Sequence, residues 1–244
     1  MSNARKNHST SAKIDRDRLY SSGTTMNVYK GVYTNGERQG QALVAKEFKA
    51  GYVYEADYFD NEMKVISRAQ KVVDDWNNAR IIDKRIVLNR PQVWNAKGDG
   101  TKALIEPMIQ NFEKFNSNSG WATNRDAWCE AMQALSHFSY HNSHGRELLC
   151  DIQGGSYQDG YILTDPVIMS ERRAYGPTDL GRNGIGNFFE KHRCGRFCDR
   201  AWRKPGYRGA TGISMRQGTV MMHHLPTRVG RNPLTEHRPS PRRH

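Results

Sequence analysis

His192, Cys194 and Cys198 bring an imidazole and two thiols together in one short segment. Thiolate and neutral imidazole are the ligands that a tetrahedral zinc takes, and a fourth must come from elsewhere in the chain. His137 is the first choice because its helix is expected to end near the core; His141, His144 and Cys129 compete for the place. Four protein ligands leave no open position for water, so such a site would be structural. The interval from Cys194 to Cys198 predicts that both thiols share one face of a helix. The plain alternative is a pair of buried cysteines beside a surface histidine, since the spacing is not the usual paired short type.

Asp151, Gln153 and Asp165 form a second constellation. Hard oxygen donors suit magnesium, and a carboxylate can orient an attacking hydroxyl, as phosphoryl transfer requires. A lone Asp at the end of a strand is, taken singly, more often a turn residue. Lys46 and Glu62 make a third. A lysine inside a strand followed by a glutamate on the next helix is how kinase-like sites hold a cation on the α- and β-phosphates. A solvated lysine on an amphipathic strand is the competing reading. The turn Gly23-Thr24-Thr25 could cover phosphates. Gly181, Gly184 and Gly186 stand at the mouth of a final helix and would let backbone N–H groups approach an anion or a peptide.

These residues need elements to position them. Residues 27–33 and 42–48 read as strands joined by a turn at Asn35-Gly36, which places Lys46 inside the second. From Phe59 the apolar residues Met63, Ile66, Ala69, Val73 and Trp76 follow helical spacing. Ile86–Leu88 and Ala103–Ile105 read as strands, the second stopped by Glu106-Pro107. Thr123 and Asp126 have capping-box spacing before a helix striped by Ala127, Trp128, Ala131, Leu135 and Phe138, with His137 in its last turn. Glu147–Ile152 reads as a strand, and Ile185–Cys198 as a helix. Beyond Trp202 no periodicity survives.

The formal charge of +12 is concentrated at the ends. Residues 199–244 carry ten Lys and Arg against two Asp and Glu, residues 1–20 carry five against two, and 21–198 are close to neutral. A groove tracking a nucleic-acid backbone needs clustered cations on ordered structure, so this distribution argues against nucleic acid as the main partner. No apolar run approaches the roughly 18 residues of a membrane span, and the N-terminus lacks a signal-like core. A cytoplasmic location with no membrane partner is therefore expected. Four cysteines in 244 residues suit metal better than a disulfide framework.

In order and combination the segments resemble the α-kinases, atypical protein kinases that include myosin heavy chain kinase and the elongation-factor kinase. The likeness is strongest in Ile105-Glu106-Pro107, Lys114 to Gly120, Ser136-His137-Phe138, Asp151-Ile152-Gln153-Gly154, Thr164-Asp165-Pro166 and His192 to Cys198. The resemblance implies an α+β, two-lobed, protein-kinase-like fold with a β-rich N-lobe and a zinc-stapled C-lobe. It implies a catalytic domain over 20–202, with the N-lobe at about 20–105 and the C-lobe at about 107–202. Residues 1–19 are expected to be a disordered basic segment and 203–244 a disordered basic tail.

By the same resemblance, Lys46 contacts the phosphates of ATP with Glu62 as its ion-pair partner, beside the Gly23 turn. Glu106 and Met108 form the hinge against adenine. Asp151 is the catalytic aspartate, Gln153 and Asp165 hold Mg2+, and His137, His192, Cys194 and Cys198 bind Zn2+. Gly181 and Gly184 belong to a peptide-facing loop. Three departures stand out: Met26-Asn27 where relatives carry arginine, a longer interval between Asp151 and Asp165, and Asp179 where asparagine is expected before Leu180-Gly181. The expected activity is transfer of the ATP γ-phosphate to Ser or Thr of a protein. The alternatives are a catalytically weak ATP-binding scaffold and an RNA-binding protein working through its tails. Oligomeric state is left open.

Overall fold

The computed structural model describes residues 3–23, 26–49, 55–97, 100–157 and 160–209. One sheet, in the order β2-β3-β4-β7-β6, is built from β2 (Ala12–Ser22), β3 (Met26–Tyr33), β4 (Ala42–Phe48), β6 (Gln92–Asn95) and β7 (Lys102–Pro107). A second, in the order β1-β5-β11-β10-β8, contains β1 (Ala4–Arg5), β5 (Arg85–Asn89), β8 (Phe112–Lys114), β10 (Gln153–Tyr157) and β11 (Gly160–Leu163). A third pairs β9 (Glu147–Cys150) with β12 (Val167–Ser170). The helices are α1 (Glu55–Ala79), α2 (Ala127–Asn142) and α3 (Gly181–Lys191). This is the expected α+β arrangement of a β-rich lobe above a mixed one. No described helix is long and apolar enough to cross a membrane.

The first lobe is held by the inward residues of its strands: Tyr33, Leu43, Ala45, Ala103 and Ile105 form one buried cluster. The main core lies in the second lobe and is centred on α2, which is buried on nearly every face from Trp128 to Tyr140. That burial is why Ser136, His137 and Ser139, polar residues on an otherwise apolar helix, are inaccessible to solvent and must be satisfied internally. Asp126 caps α2, its carboxylate accepting from Cys129 N (3.0 Å); the expected cap at Thr123 moves to this residue because its side chain reaches the free first-turn amide. His137 lies before the last turn of α2, not in it.

The lobe boundary does not fall at residue 105. Val65, Ile66, Ala69, Val72, Val73 and Trp76 of α1 pack with Ile86 and Leu88 of β5 against α2, so α1 and β5 contribute to the core of the second lobe. Residues 1–19 are likewise not a detached segment, since they supply β1 and most of β2. Their charge pattern concealed this: β2 is an edge strand whose Lys13, Asp15, Asp17 and Arg18 side chains face water. At the other end, residues 203–209 are ordered against the second lobe, with Tyr207 packed against the buried cluster that includes Tyr140, Ile185 and Phe188. The rest of the expected tail lies outside the described residues.

The longer interval between Asp151 and Asp165 becomes the antiparallel hairpin β10–β11, in register Gly154↔Leu163, with β11 parallel to β5. Gln158-Asp159 lie outside the described residues. A side chain on Gly160 would place Cβ 1.8 Å from Arg85 O. Gly160→Ala is therefore expected to open the β11–β5 pairing and cost at least about 2 kcal/mol, read as a lowered thermal midpoint.

Candidate functional site

Lys46 sits mid-strand on β4, opposite Val28 on one side and Leu104 on the other. Its side chain is buried, and Nζ lies 2.5 Å from Glu106 Oε1 and in direct contact with Asp165 Oδ1. Burial acts to lower the ammonium pKa, but Asp165 and then Glu106 outweigh it, and the net direction is upward, so Lys46 is charged. The carboxylates that meet Lys46 are thus those of Glu106 and Asp165, where the expectation was Glu62. The expectation of Glu62 came from the kinase-like arrangement of a strand lysine followed by a glutamate on the next helix. Register decides otherwise, since Glu106 of β7 stands beside Lys46 across the β4–β7 ladder.

Glu106 is held from the other side as well. Its Oε2 accepts from Asn89 Nδ2 (3.0 Å) and from Thr164 Oγ1 (2.9 Å), with burial raising its pKa and Lys46 opposing that rise. The Glu106 side chain is therefore committed to this cluster, and the chain continues through Pro107, Met108 and Ile109. These three, with Tyr20, Val44 and Phe112, line a mainly apolar cavity that has Glu106 and Thr164 at its polar end.

Asp151 follows β9 with φ 57° and Asp165 follows β11 with φ 47°. Both lie in the left-handed region, which Asp tolerates better than most residues because its short side chain can bond locally. Lys114 Nζ is 2.7 Å from Asp151 Oδ1, and Gln153 Nε2 donates to Asp151 Oδ2 and to Asp165 O (both 3.2 Å). Burial raises the Asp151 pKa, and Lys114 opposes the rise. Gln153 Oε1 and Asp165 Oδ2 are buried with no hydrogen-bond partner. Two unsatisfied oxygens in one charged pocket suit a hard cation such as magnesium.

Lys114, Thr164, Asn89 and Tyr20 were not singled out from the sequence. Lys114 and Thr164 could have been, because each stands inside a segment that carries the α-kinase resemblance. Gly23 donates N–H to Met26 O (2.8 Å), and its carbonyl accepts from Lys49 Nζ (2.5 Å); Thr24-Thr25 lie outside the described residues. Gly181 and Gly184 are buried. A Cβ on Gly184 would lie 2.0 Å from Met169 Sδ, so this glycine lets α3 close on β12 and does not face a peptide. Asp179 is a loop bracket: buried, it accepts from Ser170 N (2.9 Å), Ser170 Oγ (2.6 Å) and Gly181 N (2.9 Å).

The second cluster gathers His137 of α2 with His192, Cys194 and Cys198, whose candidate ligand atoms all lie within 4.8 Å of one another. Cys194 and Cys198 are not on a helix as expected, because α3 ends at Lys191 and the chain turns back toward α2. Cys194 Sγ is 3.6 Å from His137 Nδ1 and 3.7 Å from His192 Nε2, and Cys198 Sγ is 3.5 Å from His192 Nε2. Tetrahedral bonds of about 2.3 Å to sulfur and about 2.0 Å to nitrogen put neighbouring S and N about 3.5 Å apart. His137 Nε2 lies 2.9 Å from Arg203 O, which fixes the tautomer that turns Nδ1 inward.

Burial holds His137 and His192 neutral, lowering their pKa values to about 4 and about 3. Burial and then Cys194 push the Cys198 thiol up to about 12, so two thiolates share this space only beside a cation. The donor set fits zinc.

The chain is similar to known proteins. It is 41% identical over 96 residues to alpha-protein kinase vwkA of Dictyostelium discoideum, covering 38% of this chain and 15% of that protein. It is 35% identical over 146 residues to myosin heavy chain kinase B of the same organism, covering 58% and 19%. It therefore spans only a small part of these relatives. The crystal structure of the alpha-kinase domain of myosin heavy chain kinase A in complex with AMP superposes with a TM-score of 0.64 at 24% identity, covering 77% of this chain and 88% of that one. The profile of the alpha-kinase family matches residues 21–198, which take in Lys46, both aspartates and all four candidate zinc ligands, and the chain belongs to that family.

Proposed function

We propose that this chain is an ATP-dependent protein kinase of the α type that phosphorylates serine or threonine. The observation that carries the reading is the charged cluster that shares Glu106 with the lining of the cavity, where Lys46 from one lobe meets Asp165 from the other. Adenine would lie against Met108 and Val44, with its phosphates directed toward Lys46. Gln153 Oε1 and Asp165 Oδ2 would hold magnesium, which when bound neutralises phosphate charge. Lys46 would bind the α- and β-phosphates in exchange for part of its carboxylate contact. Asp151, held by Lys114 and Gln153, would orient the acceptor hydroxyl and take its proton, so that catalysis is mostly positioning and charge compensation. His137, His192, Cys194 and Cys198 would bind zinc as a structural ion. ATP-complexed domains among the structural neighbours are consistent with this reading.

The test is transfer of label from γ-labelled ATP to Ser/Thr-containing proteins, with phosphoamino-acid identification. A protonated Asp151 cannot accept the hydroxyl proton, so activity should fall as pH drops through its raised pKa, above the ordinary carboxylate value of about 3.9. Lys114 opposes that rise, so Lys114→Met should move the acid limb to higher pH as well as lower the rate. An acid limb that stays in place would remove Lys114 and Asp151 from these roles. Nucleotide binding without turnover is the second reading. It is favoured by Met26, which is buried where the resemblance implies arginine and offers no cation to a phosphate.

A further inference from the structure

Residues 3–11 join the two lobes behind the cleft. Leu88 N donates to Asn3 O (2.9 Å) and Arg90 N to Arg5 O (3.0 Å), which adds β1 in parallel to β5. Asn3 also bonds Asp74 (3.0 Å) and Gln70 (3.1 Å) of α1, so this end is anchored on the second lobe. At the other end Ser9 Oγ donates to Asn35 O (2.8 Å), and Asn35 Oδ1 accepts from the amides of Thr10 and Ser11 (both 3.0 Å). Those bonds tie the segment to the β3–β4 turn of the first lobe.

Between the anchors, Asn7 is fully buried, and Arg5 Nη1 donates to Met108 O (3.2 Å). Met108 lines the apolar cavity, and its own N–H donates to Ala42 O (3.0 Å). A carbonyl oxygen has two lone pairs, so a cationic donor on one fixes the group's direction and leaves the other for a ligand.

We propose that Arg5 is a positioning residue for base recognition: held on a strap that bridges the lobes, it aims the Met108 carbonyl at the 6-amino group of adenine. This rests on the reading of the cleft as an ATP site. Adenine carries an amino donor at position 6 and guanine an oxygen acceptor, so a fixed carbonyl there favours ATP over GTP.

The experiment measures Kd for ATP and for GTP by calorimetry on the full chain as wild type, Arg5→Ala and Arg5→Lys. Arg5→Ala should weaken ATP about tenfold and leave GTP nearly unchanged, so that selectivity narrows by the same factor, with Arg5→Lys recovering part of it. In turnover the effect should fall on KM for ATP and not on kcat. Arg5→Met, which keeps the aliphatic stem, carries the same comparison if the alanine variant does not fold. Unchanged ATP affinity in the variant would overturn the inference alone. Equal weakening of ATP and GTP would also overturn it, because the strap would then support the fold and not the base. A wild type that binds no adenine nucleotide would overturn the reading of the cleft and the inference together.

Discussion

Asp165→Ala is expected to lower phosphotransfer by at least about a thousandfold, equivalent to ~4 kcal/mol of barrier, in a protein that still folds. The loss follows from what the carboxylate does: one oxygen meets Lys46 and the other is left unsatisfied inside the cluster, in position for a cation. Folding should survive because Lys46 keeps Glu106 as a partner, so no buried charge is stranded. Alanine at a φ of 47° costs about 1 kcal/mol, and Asp165→Asn removes that objection because asparagine tolerates the left-handed region. Both variants should retain zinc and a cooperative thermal transition. Label transfer by either variant at the wild-type rate would reject the role assigned to Asp165. Transfer by neither the variants nor the wild type would favour the nucleotide-binding scaffold.

Removal of metal is the second large effect. About one zinc per chain is expected by elemental analysis, and chelation or Cys198→Ser should lower the thermal midpoint by about 10 °C or more. The reason is mechanical. The segment after α3 has little regular structure of its own, yet it carries Phe197, buried in the main core, and Trp202, which packs edge-on to His137 and Phe138. The four ligands tie this segment to α2. Without the ion, two thiols, the buried His137 imidazole and the half-buried His192 imidazole compete for one small volume, and the packing of Phe197 and Trp202 loses its anchor. A metal-free preparation with an unchanged midpoint would contradict the assignment.

Much of this was legible in the chain itself. Short apolar runs bounded by turn signals located β3, β4, β5 and β7, and helical spacing located α1 and α2, because burial patterns follow from backbone geometry. The chemistry-bearing residues were also legible: Lys46, Glu106, Asp151, Gln153 and Asp165 share one cluster region, and His137 with His192, Cys194 and Cys198 shares another. Several short motifs in one order are far more specific than any spacing alone.

What the sequence by itself determined was therefore the set of reactive side chains and most of the elements that carry them. Who pairs with whom was decided only by the tertiary structure. Glu106 meets Lys46, where the expectation was Glu62, because strand register sets distances that chain order does not encode. The basic N-terminal residues became an edge strand and an interlobe strap, because an edge strand exposes its side chains and so carries the charge of a tail while its backbone pairs with β3 on one side. Gly184 became a packing contact, because what a glycine is for depends on which atom lies 2.0 Å from its absent Cβ, and that atom belongs to another element of the fold.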